Sequence, residues 1–428
     1  MSGPSVVTTD QSDTWRAFCS GMFAAAIRPV LPENCLPKHL PDPTDYSAVK
    51  LIALGKGAAA MARVVEESWP DVNLSGIAVC RDGYGQPCNR IEVIESAHPV
   101  PDERSLKAAE RALDIARSTL EGVLLLVLLS GGGSALACLP ADGVSLKEKQ
   151  QLVRALMHAG ADIRELNTVR KQLSRIKGGR LAAAAARAGH IFTLAISDVV
   201  GDDPSLIASG PTVSDSTTRT DAIAVLDKYG ISHPSRWAGW CGPVPGDRTS
   251  FQIVASGAHM LTAAQAYAEK AGFSVQFLGD DIVGEARDVA RNHASMVTER
   301  LKEVSDKPVL LLSGGELTST VTGTGKGGPN QEYVLALATA LQTDAGVYAF
   351  AADTDGMDGV GGAAGAFMTP EDRKRAATAG TAPTAMLKNN NSHQYFKDLD
   401  CLFKVKPTGT NVNDLRVIAV APKGLPQD

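Results

Sequence analysis

The sequence predicts an α/β protein with two Rossmann-like domains, mainly parallel sheets and an active-site cleft between the domains. Three observations support this fold class. Short apolar runs alternate with longer Ala-rich segments, the runs are continuous, and the order of motifs in the first half recurs in the second. Continuous apolar runs are typical of parallel strands covered on both faces, and strand–helix alternation indicates βαβ units in a doubly wound sheet.

The apolar runs are predicted to be strands because they have strand length and are rich in aliphatic residues. In chain order they are VKLIAL (49–54), SGIAVC (75–80), VLLLVLL (123–129), IFTLAIS (191–197), FQIVAS (251–256), SVQFLG (274–279), PVLLLSGGE (308–316) and VYAFAAD (347–353). A helix is predicted near residues 15–28, and the basic segment 167–186 is predicted to be one amphipathic helix.

The segment 233–248, HPSRWAGWCGPVPGDR, is the predicted domain boundary because it is rich in Pro, Gly and Trp and has no periodicity. The predicted domains are residues 1–240, an N-terminal α/β domain, and residues 241–428, a C-terminal α/β domain. Each half contains a strand–Gly–helix unit, a strand with a Gly loop, and a strand with an acidic turn, in that order. We interpret the halves as related domains, although shared architecture alone would explain the similarity equally well.

Composition restricts the partners of the protein. The 428 residues carry a net charge of -5 and 5% aromatic residues, so neither nucleic acid nor a membrane is expected as a partner. The seven cysteines form no CxxC pair, which favours reduced thiols and a cytoplasmic location. A homodimer is compatible with these features, but the sequence does not set the oligomeric state.

The stretch GKGAAA (55–60) follows a predicted strand and opens a predicted helix. It fits the G-x-G-x-x-A dinucleotide turn, in which Gly55 and Gly57 would let backbone amides approach a phosphate and Lys56 would add a charge. Asp82 and Arg81 follow the next strand, where a dinucleotide site would need an acid or a cation. A nicotinamide-dependent enzyme therefore stays an open alternative at this point.

Two Gly loops follow strands in the two halves. The loop Ser130, Gly131, Gly132, Gly133 and Ser134 would present a nest of amides to an anion, with two hydroxyls beside it. The corresponding loop Gly314, Gly315 and Glu316 ends in an acid, which suits Mg²⁺ or a ligand hydroxyl. The first loop is therefore predicted to bind an anion, and the second to manage a metal or a hydroxyl.

Acidic turns follow one strand in each half. Asp198 comes directly after IFTLAIS, Asp353 is the last residue of VYAFAAD, and Asp355 follows two residues later. Carboxylates at the carboxyl ends of parallel strands lie at the ligand edge of such sheets, where they could accept a proton or hold Mg²⁺. Cations are predicted to contact an anionic ligand from two further segments, at Arg170 and Lys171 and at Lys326.

Together these stretches resemble the class II glycerate 2-kinases, which carry a MOFRL domain and are often labelled hydroxypyruvate reductases. The resemblance lies between residues 55 and 365, in GKGAAAMA, AHPVPDE, LLSGGGSALACLP, NTVRKQLSRIKGGRLA, ISDVVGDDPSLIASGPT, LLSGGELTSTVTGTGKGGPNQE and AADTDGMDGVGGAAGA. It implies ATP-dependent phosphorylation of D-glycerate at its 2-hydroxyl, with Mg²⁺, between two α/β domains.

The resemblance also implies roles for residues. Lys56 falls on the family lysine. In our kinase hypothesis Lys56 would neutralise the transferring phosphate, Asp198 would be the base, and Glu316, Asp353 or Asp355 would hold Mg²⁺. Many relatives carry an arginine in a GGRNQE motif, whereas this chain reads GGPNQE, with Pro329 at that place. Asn330, the next residue, is predicted to contact the substrate or a phosphate. Lys326 or Arg416 would replace the missing cation, or its role is dispensable.

Three functional hypotheses follow. The first is a glycerate 2-kinase with D-glycerate and a nucleotide as small-molecule ligands. The second is an NAD(P)H-dependent hydroxypyruvate reductase, which rests on GKGAAA and Asp82. The third is a non-catalytic small-molecule sensor. The many acidic turns predicted in one cleft argue against it.

Overall fold

Strands and helices alternate through the chain, for which the computed structural model describes residues 11–234, 237, 244–302, 307–341 and 346–426. The strands are β1 (Ala48–Leu54), β2 (Leu74–Arg81), β3 (Ile91–Ser96), β4 (Val123–Leu129), β5 (His190–Ile196), β6 (Thr249–Ala255), β7 (Ser274–Gly279), β8 (Gly284–Glu285), β9 (Val309–Ser313), β10 (Leu317–Thr318), β11 (Val347–Asp353), β12 (Gly365–Met368), β13 (Leu402–Phe403) and β14 (Asp414–Val420). The helices are α1 (Gln11–Ile27), α2 (Pro32–Cys35), α3 (Ala58–Ser68), α4 (Glu103–Ser118), α5 (Gly133–Leu136), α6 (Leu146–His158), α7 (Ile163–Gln172), α8 (Arg180–Ala184), α9 (Arg219–Lys228), α10 (Gly257–Lys270), α11 (Ala286–Lys302), α12 (Pro329–Ala340), α13 (Pro370–Thr378), α14 (Pro383–Lys388) and α15 (Ser392–Asp398).

The chain divides into two units. The parallel-sheet unit contains Val30–Ser256 and the short segment Gly409–Asn411, and the mixed-sheet unit contains the rest of the chain. This division differs from the predicted domains, because the N-terminal helix α1 belongs with the C-terminal half and β6 belongs with the first sheet. The predicted boundary at residues 240 and 241 lies outside the described residues.

The parallel-sheet unit is built on a six-stranded sheet in the order β3-β2-β1-β4-β5-β6. All neighbouring strands in it run parallel, as predicted. The chain reverses its winding direction between β1 and β4, and ligands bind at the carboxyl ends of the strands at such switch points. The loops after β1 and β4, which contain the two N-terminal glycine motifs, therefore lie where this fold places ligands.

The mixed-sheet unit has a six-stranded sheet in the order β13-β12-β11-β14-β9-β7. Strands β7 and β9 are parallel, but β14 is antiparallel to both β9 and β11, and β11 is antiparallel to β12. The two halves therefore share the α/β class, but parallel pairing is confined to the β7–β9 pair in the second sheet, whereas it runs through the whole of the first.

The apolar run of β11 is continuous although the strand is antiparallel to its neighbours. Residues from α11 and α12 form a hydrophobic cluster with Val347, Ala349 and Ala351. On the adjoining N-terminal helix, Trp15 donates its indole N–H to the carbonyl of Ala349 at 3.0 Å. Helices therefore cover this sheet as they cover a parallel one, and burial on both faces, rather than strand direction, explains the run.

The basic segment predicted as one helix is broken in the structure. Helix α7 ends at Gln172 and α8 begins at Arg180. Between them Gly178 and Gly179 have φ values of 58° and 77°, in the left-handed region that interrupts a helix and favours glycine. Ser174 therefore lies outside α7, which corrects the prediction that residues 167–186 form one helix.

Within the part of the chain that the structure describes, no helix combines the length and the apolar character needed to cross a membrane.

Candidate active site

In the GKG turn between β1 and α3, all three backbone amides are hydrogen-bonded within the protein. They donate to protein acceptors: Gly55 N to Val79 O at 3.0 Å, Lys56 N to Gly131 O at 2.8 Å, and Gly57 N to Ser130 Oγ at 3.0 Å. The predicted role of Gly55 and Gly57 in binding phosphate through their amides is therefore wrong, because the neighbouring strand and loop already supply the acceptors. Lys56, which is half-buried, is the residue of the turn with a cationic side chain.

The loop after β4 differs from the GKG turn because two of its backbone amides have no hydrogen-bond acceptor among the described residues. Within the described residues, the N–H groups of Gly131 and Gly132 have no protein acceptor, whereas Gly133 N lies 3.4 Å from Ser130 O. Gly132 has φ 80° and ψ -7°, a left-handed conformation directly after Gly131. Successive amides in such a turn form a concave nest for an anion. We define the anion nest as Gly131 and Gly132.

Lys56 and His98 lie beside the anion nest. A Cβ placed on Gly132 would lie 3.0 Å from His98 Nε2 and 3.5 Å from Lys56 Cγ. Together with its positive φ, this crowding explains why position 132 is glycine. The structure therefore brings the predicted lysine and the predicted loop together, and it adds His98, a residue that sequence reasoning leaves as an ordinary loop histidine.

Asp198 reaches the same loop from the end of β5. A Cβ on Gly131 would clash with the Asp198 carboxylate and with the side-chain amide of Asn411. Asn411 Nδ2 donates to Asp198 Oδ2 at 3.0 Å, and Asn411 is buried. Sequence reasoning misses Asn411, which follows the turn-rich stretch Thr408-Gly409-Thr410 far from the other site residues in the chain; such polar turn residues were the available signal.

Ser134 is held in a hydrogen-bonded network behind the anion nest. Its hydroxyl lies 3.0 Å from the hydroxyl of Ser209, which in turn lies 3.5 Å from Asn167 Oδ1. Lys177 Nζ donates to the carbonyl of Ser134 at 2.6 Å. Ser130 is also engaged, because its hydroxyl accepts from the GKG turn. The two serines therefore shape the loop, and their predicted contact with an anion stays a prediction.

The two predicted cations of α7 have different surroundings. Lys171 Nζ lies 3.5 Å from Asp215 Oδ1, and both side chains are buried. Its predicted role in attracting an anion is therefore corrected, since Asp215 already neutralises its charge. Arg170 forms no ion pair among the described residues and lines a cavity beside Gly132 and Ser134.

In the Gly loop of the mixed-sheet unit, one amide and two carbonyls are hydrogen-bonded to other parts of the same unit. Gly314 N donates to Gly279 O at 2.9 Å, and the carbonyls of Gly314 and Gly315 accept from the guanidinium of Arg416. Gly315 has φ 88°, and a Cβ there would clash with the backbone of Ile282. The loops after β4 and β9 are therefore alike in position but not in chemistry, because carbonyls of the second loop point at a buried cation.

The predicted metal ligands Glu316, Asp353 and Asp355 do not form a preformed metal-coordination site among the described residues. Across the described residues, no group of three or more His, Cys, Asp or Glu side chains is placed to hold a metal ion. Asp353 Oδ1 accepts from Asp355 N at 2.9 Å, and Asp355 Oδ1 accepts from Met357 N at 2.8 Å. Asp355 is fully buried, whereas Asp353 is half-buried and Glu316 is exposed. Asp355 is therefore a turn-forming residue rather than an accessible ligand.

Known proteins resemble this chain over almost its whole length. Residues 18–238 match the domain of unknown function DUF4147, and residues 309–414 match the MOFRL family. A D-glycerate 2-kinase from Thermotoga maritima is 38% identical over 91% of this chain and 94% of its own. The chain belongs to the family of class II glycerate 2-kinases. A putative hydroxypyruvate reductase from Agrobacterium vitis is 43% identical over 93% of both chains, so both labels occur within this family.

A solved structure confirms that this family shares the fold. The crystal structure of glycerate kinase from Thermotoga maritima superposes with a TM-score of 0.82 and 35% sequence identity, covering 96% of this chain and 100% of that one. The α/β class predicted from the sequence is thereby confirmed.

The glycerate 2-kinase motif that reads GGPNQE here forms the start of α12. Pro329 is the first residue of the helix after the N-cap Gly328, a position where a missing N–H and a fixed φ cost nothing. Asn330 is buried and donates to Asp414 Oδ1 at 2.7 Å, while its own amide and that of Gln331 donate to Asp358 at 2.9 Å. Burial raises the pKa of Asp358 to about 7. Asn330 is therefore engaged in a buried network, and its predicted ligand contact is not supported.

Of the two cations predicted to replace the family arginine, only Lys326 is exposed. Arg416 is buried, with its guanidinium 2.7 Å from Asp414 Oδ2 and in contact with carbonyls of the Gly314 loop. Burial lowers the pKa of Arg416, and Asp414 opposes that shift. Arg416 is therefore a structural cation, and its predicted replacement role is wrong.

Replacement of Arg416 by methionine is expected to destabilise the mixed-sheet unit by about 3–5 kcal/mol, because the buried Asp414 carboxylate would lose its partner. Urea unfolding followed by circular dichroism measures the change. The surface variant Arg291→Met, which breaks an exposed pair with Asp288, should cost under about 1 kcal/mol. An Arg416→Met protein that keeps wild-type stability but loses activity would contradict the structural role.

Proposed function

We propose that the chain phosphorylates D-glycerate at its 2-hydroxyl with ATP as the phosphate donor. The single observation that carries this proposal is the convergence of Lys56, the anion nest and Asp198 at the switch point of the parallel sheet. The names of the relatives, which include D-glycerate 2-kinase and glycerate kinase, support the substrate and the reaction class.

The proposed chemistry needs positioning and charge neutralisation, which dominate phosphoryl transfer. Lys56 and the amides of Gly131 and Gly132 neutralise oxygens of the phosphoryl group as it moves. Asp198 accepts the proton of the substrate 2-hydroxyl. Asn411 holds the Asp198 carboxylate in place through the hydrogen bond to Oδ2. Asn411 is thus a positioning residue, whereas Lys56 and Asp198 are the proposed catalytic residues.

Magnesium is the proposed metal. Mg²⁺ prefers carboxylate oxygens, takes one or two of them together with substrate phosphates, and keeps several waters. The mixed-sheet unit offers this donor chemistry in Asp353, half-buried at the end of β11, and in the exposed Glu316. These residues would hold the ion, which supplies neutralising charge to the phosphates when bound. Three carboxylates in one shell are not required, so the absence of such a group among the described residues is no obstacle.

The nicotinamide-dependent alternative finds less support in the site. A dinucleotide turn binds pyrophosphate through amides at the helix N-terminus, and the GKG amides are already bonded. Asp82, the acid that would bind a ribose, forms a bidentate ion pair with Arg104 at 2.5 Å and 2.8 Å. The pKa of Asp82 is lowered by its hydrogen bonds with Arg104. The kinase is therefore the function that the geometry supports best.

A cleft between the two domains as the site of catalysis, a homodimer and a cytoplasmic location stay predictions.

Two parallel assays test the proposal. The protein is incubated with D-glycerate, ATP and Mg²⁺ and assayed for ADP, and a second sample receives hydroxypyruvate and NADH. We expect ADP that depends on D-glycerate, and no oxidation of NADH. Oxidation of NADH without ADP would overturn the kinase in favour of the reductase, and ligand binding without either turnover would favour the sensor.

A further inference from the structure

A cavity of about 450 Å³ opens beside the anion nest within the parallel-sheet unit. Gly132, Ser134 and His98 line one part of it, and Pro99, Val100, Pro101, Val153 and Met157 supply apolar wall. Its size falls within the range of sites for small molecules and cofactors. The cavity therefore adjoins the residues proposed to handle the transferring phosphate.

Three cations line this cavity: Lys149, Arg170 and Lys177. Lys149 and Lys177 are 4% and 2% exposed, and neither they nor Arg170 form an ion pair within the described residues. Lys149 Nζ donates to Leu173 O at 2.8 Å, and Lys177 Nζ donates to the carbonyls of Ser134 and Ala137 at 2.6 Å and 3.2 Å. Buried charges in proteins are normally paired with an opposite charge. Carbonyl dipoles are the partners here, so the cavity has an excess of positive charge.

The protonation of these groups reflects the same imbalance. Burial, together with the positive charges of Lys149 and Arg170, lowers the pKa of Lys177 to about 7, while Cys138 opposes the shift. Burial likewise lowers the pKa of Lys149 and of Arg170. A bound anion would remove the repulsion among the three cations and favour their charged forms.

We propose that this cavity binds the nucleotide, with its phosphate chain along the three cations toward Gly132 and its base against the apolar wall. The proposal rests on the kinase function. A polyphosphate matches three cations, whereas glycerate carries one carboxylate and is too small to fill the space. In the corresponding loop of the mixed-sheet unit, the carbonyls of Gly314 and Gly315 accept hydrogen bonds from Arg416 instead.

Binding of a non-hydrolysable ATP analogue, measured by isothermal titration calorimetry, tests this assignment. Arg170→Gln should raise the Kd for the analogue at least about tenfold while leaving the Kd for D-glycerate within about twofold. Arg175→Gln is the matched control, because Arg175 lies a few residues later and pairs with Asp142 at 3.3 Å on a more exposed surface. Unchanged analogue binding in Arg170→Gln, or a selective loss of D-glycerate binding, would overturn the proposal.

A second variant protects the test against a folding defect in Arg170→Gln. Val153→Trp places a large ring at the apolar wall. It should weaken binding of the ATP analogue at least about tenfold, while inorganic pyrophosphate still binds.

A third variant, Lys177→Met, tests the cations. Because a bound anion favours the charged form of Lys177, proton uptake on analogue binding at pH 8 should be smaller in Lys177→Met than in wild type. Titrations in two buffers of different ionisation enthalpy measure this uptake. If Val153→Trp binds the ATP analogue as tightly as wild type, and Lys177→Met takes up as many protons as wild type, the nucleotide does not bind in this cavity.

These outcomes distinguish a failure of the proposed nucleotide site from a failure of the proposed kinase function. If the analogue binds and responds to Arg170→Gln but no D-glycerate is phosphorylated, the nucleotide site stands and the proposed function fails. If D-glycerate is phosphorylated but the variants bind the analogue normally, the function stands and the nucleotide site fails.

Discussion

Replacing Lys56 by alanine is expected to lower kcat for D-glycerate phosphorylation at least about tenfold, because the transferring phosphate loses a neutralising charge beside the anion nest. The loss should appear in kcat more than in KM, since the charge on the phosphoryl oxygens is redistributed during transfer. Steady-state kinetics with coupled detection of ADP measures both constants.

Lys147→Ala is the matched control for Lys56. Lys147 is exposed at the start of α6 and makes no described ion pair or side-chain hydrogen bond, so its loss should leave kcat within about twofold. Circular dichroism should show that both variants remain folded. A folded Lys56→Ala enzyme with wild-type kcat would exclude Lys56 from catalysis.

Asp198→Asn is expected to reduce kcat about 10²–10⁴-fold, the range typical for loss of a general base. Asparagine keeps the size of the side chain and can still meet Asn411 after an amide flip, so the loss reports proton acceptance rather than packing. Raising the pH should not restore activity, because an asparagine side chain cannot become a base.

The neighbouring acid Asp202 provides the control for Asp198. It lies in the same loop with φ 53°, a left-handed conformation that asparagine tolerates. Asp202→Asn should therefore retain activity within about threefold. If Asp198→Asn loses no more activity than Asp202→Asn, another group must accept the proton.

Local patterns were sufficient to predict several parts of the fold and the site. Continuous apolar runs marked the strands, and glycines directly after them marked the loops around Lys56 and Gly131. Asp198 was predictable because acids at the carboxyl end of a buried parallel strand face the ligand edge. These features depend on residues that are close in sequence.

Other parts depended on long-range contacts that no local pattern records. Strand β14, from the end of the chain, pairs with β9 and β11 and makes the second sheet mixed. Asn411 joins Asp198 from more than two hundred residues away. The opposite chemistry of the two Gly loops also could not be predicted, because it depends on whether Arg416 approaches from inside the sheet.

The buried cations illustrate the same limit. Lys149 lies on the amphipathic helix α6, where a charged residue is usually solvated, yet it is buried against the backbone after α7. Lys177 lies in the segment between α7 and α8, and its ammonium group donates to the Ser134 carbonyl. Burial of these side chains is set by how helices pack on the sheet, which charge patterns alone do not reveal.

Phosphorus NMR of the reaction product tests the central claim most directly. Phosphate on the 2-hydroxyl of D-glycerate is coupled to a single methine proton, whereas phosphate on the 3-hydroxyl is coupled to a methylene pair. We expect a phosphomonoester doublet that requires enzyme, ATP and D-glycerate and that forms at least about tenfold more slowly with Lys56→Ala. A triplet, or release of inorganic phosphate with no phosphomonoester, would contradict the proposed transfer to the 2-hydroxyl.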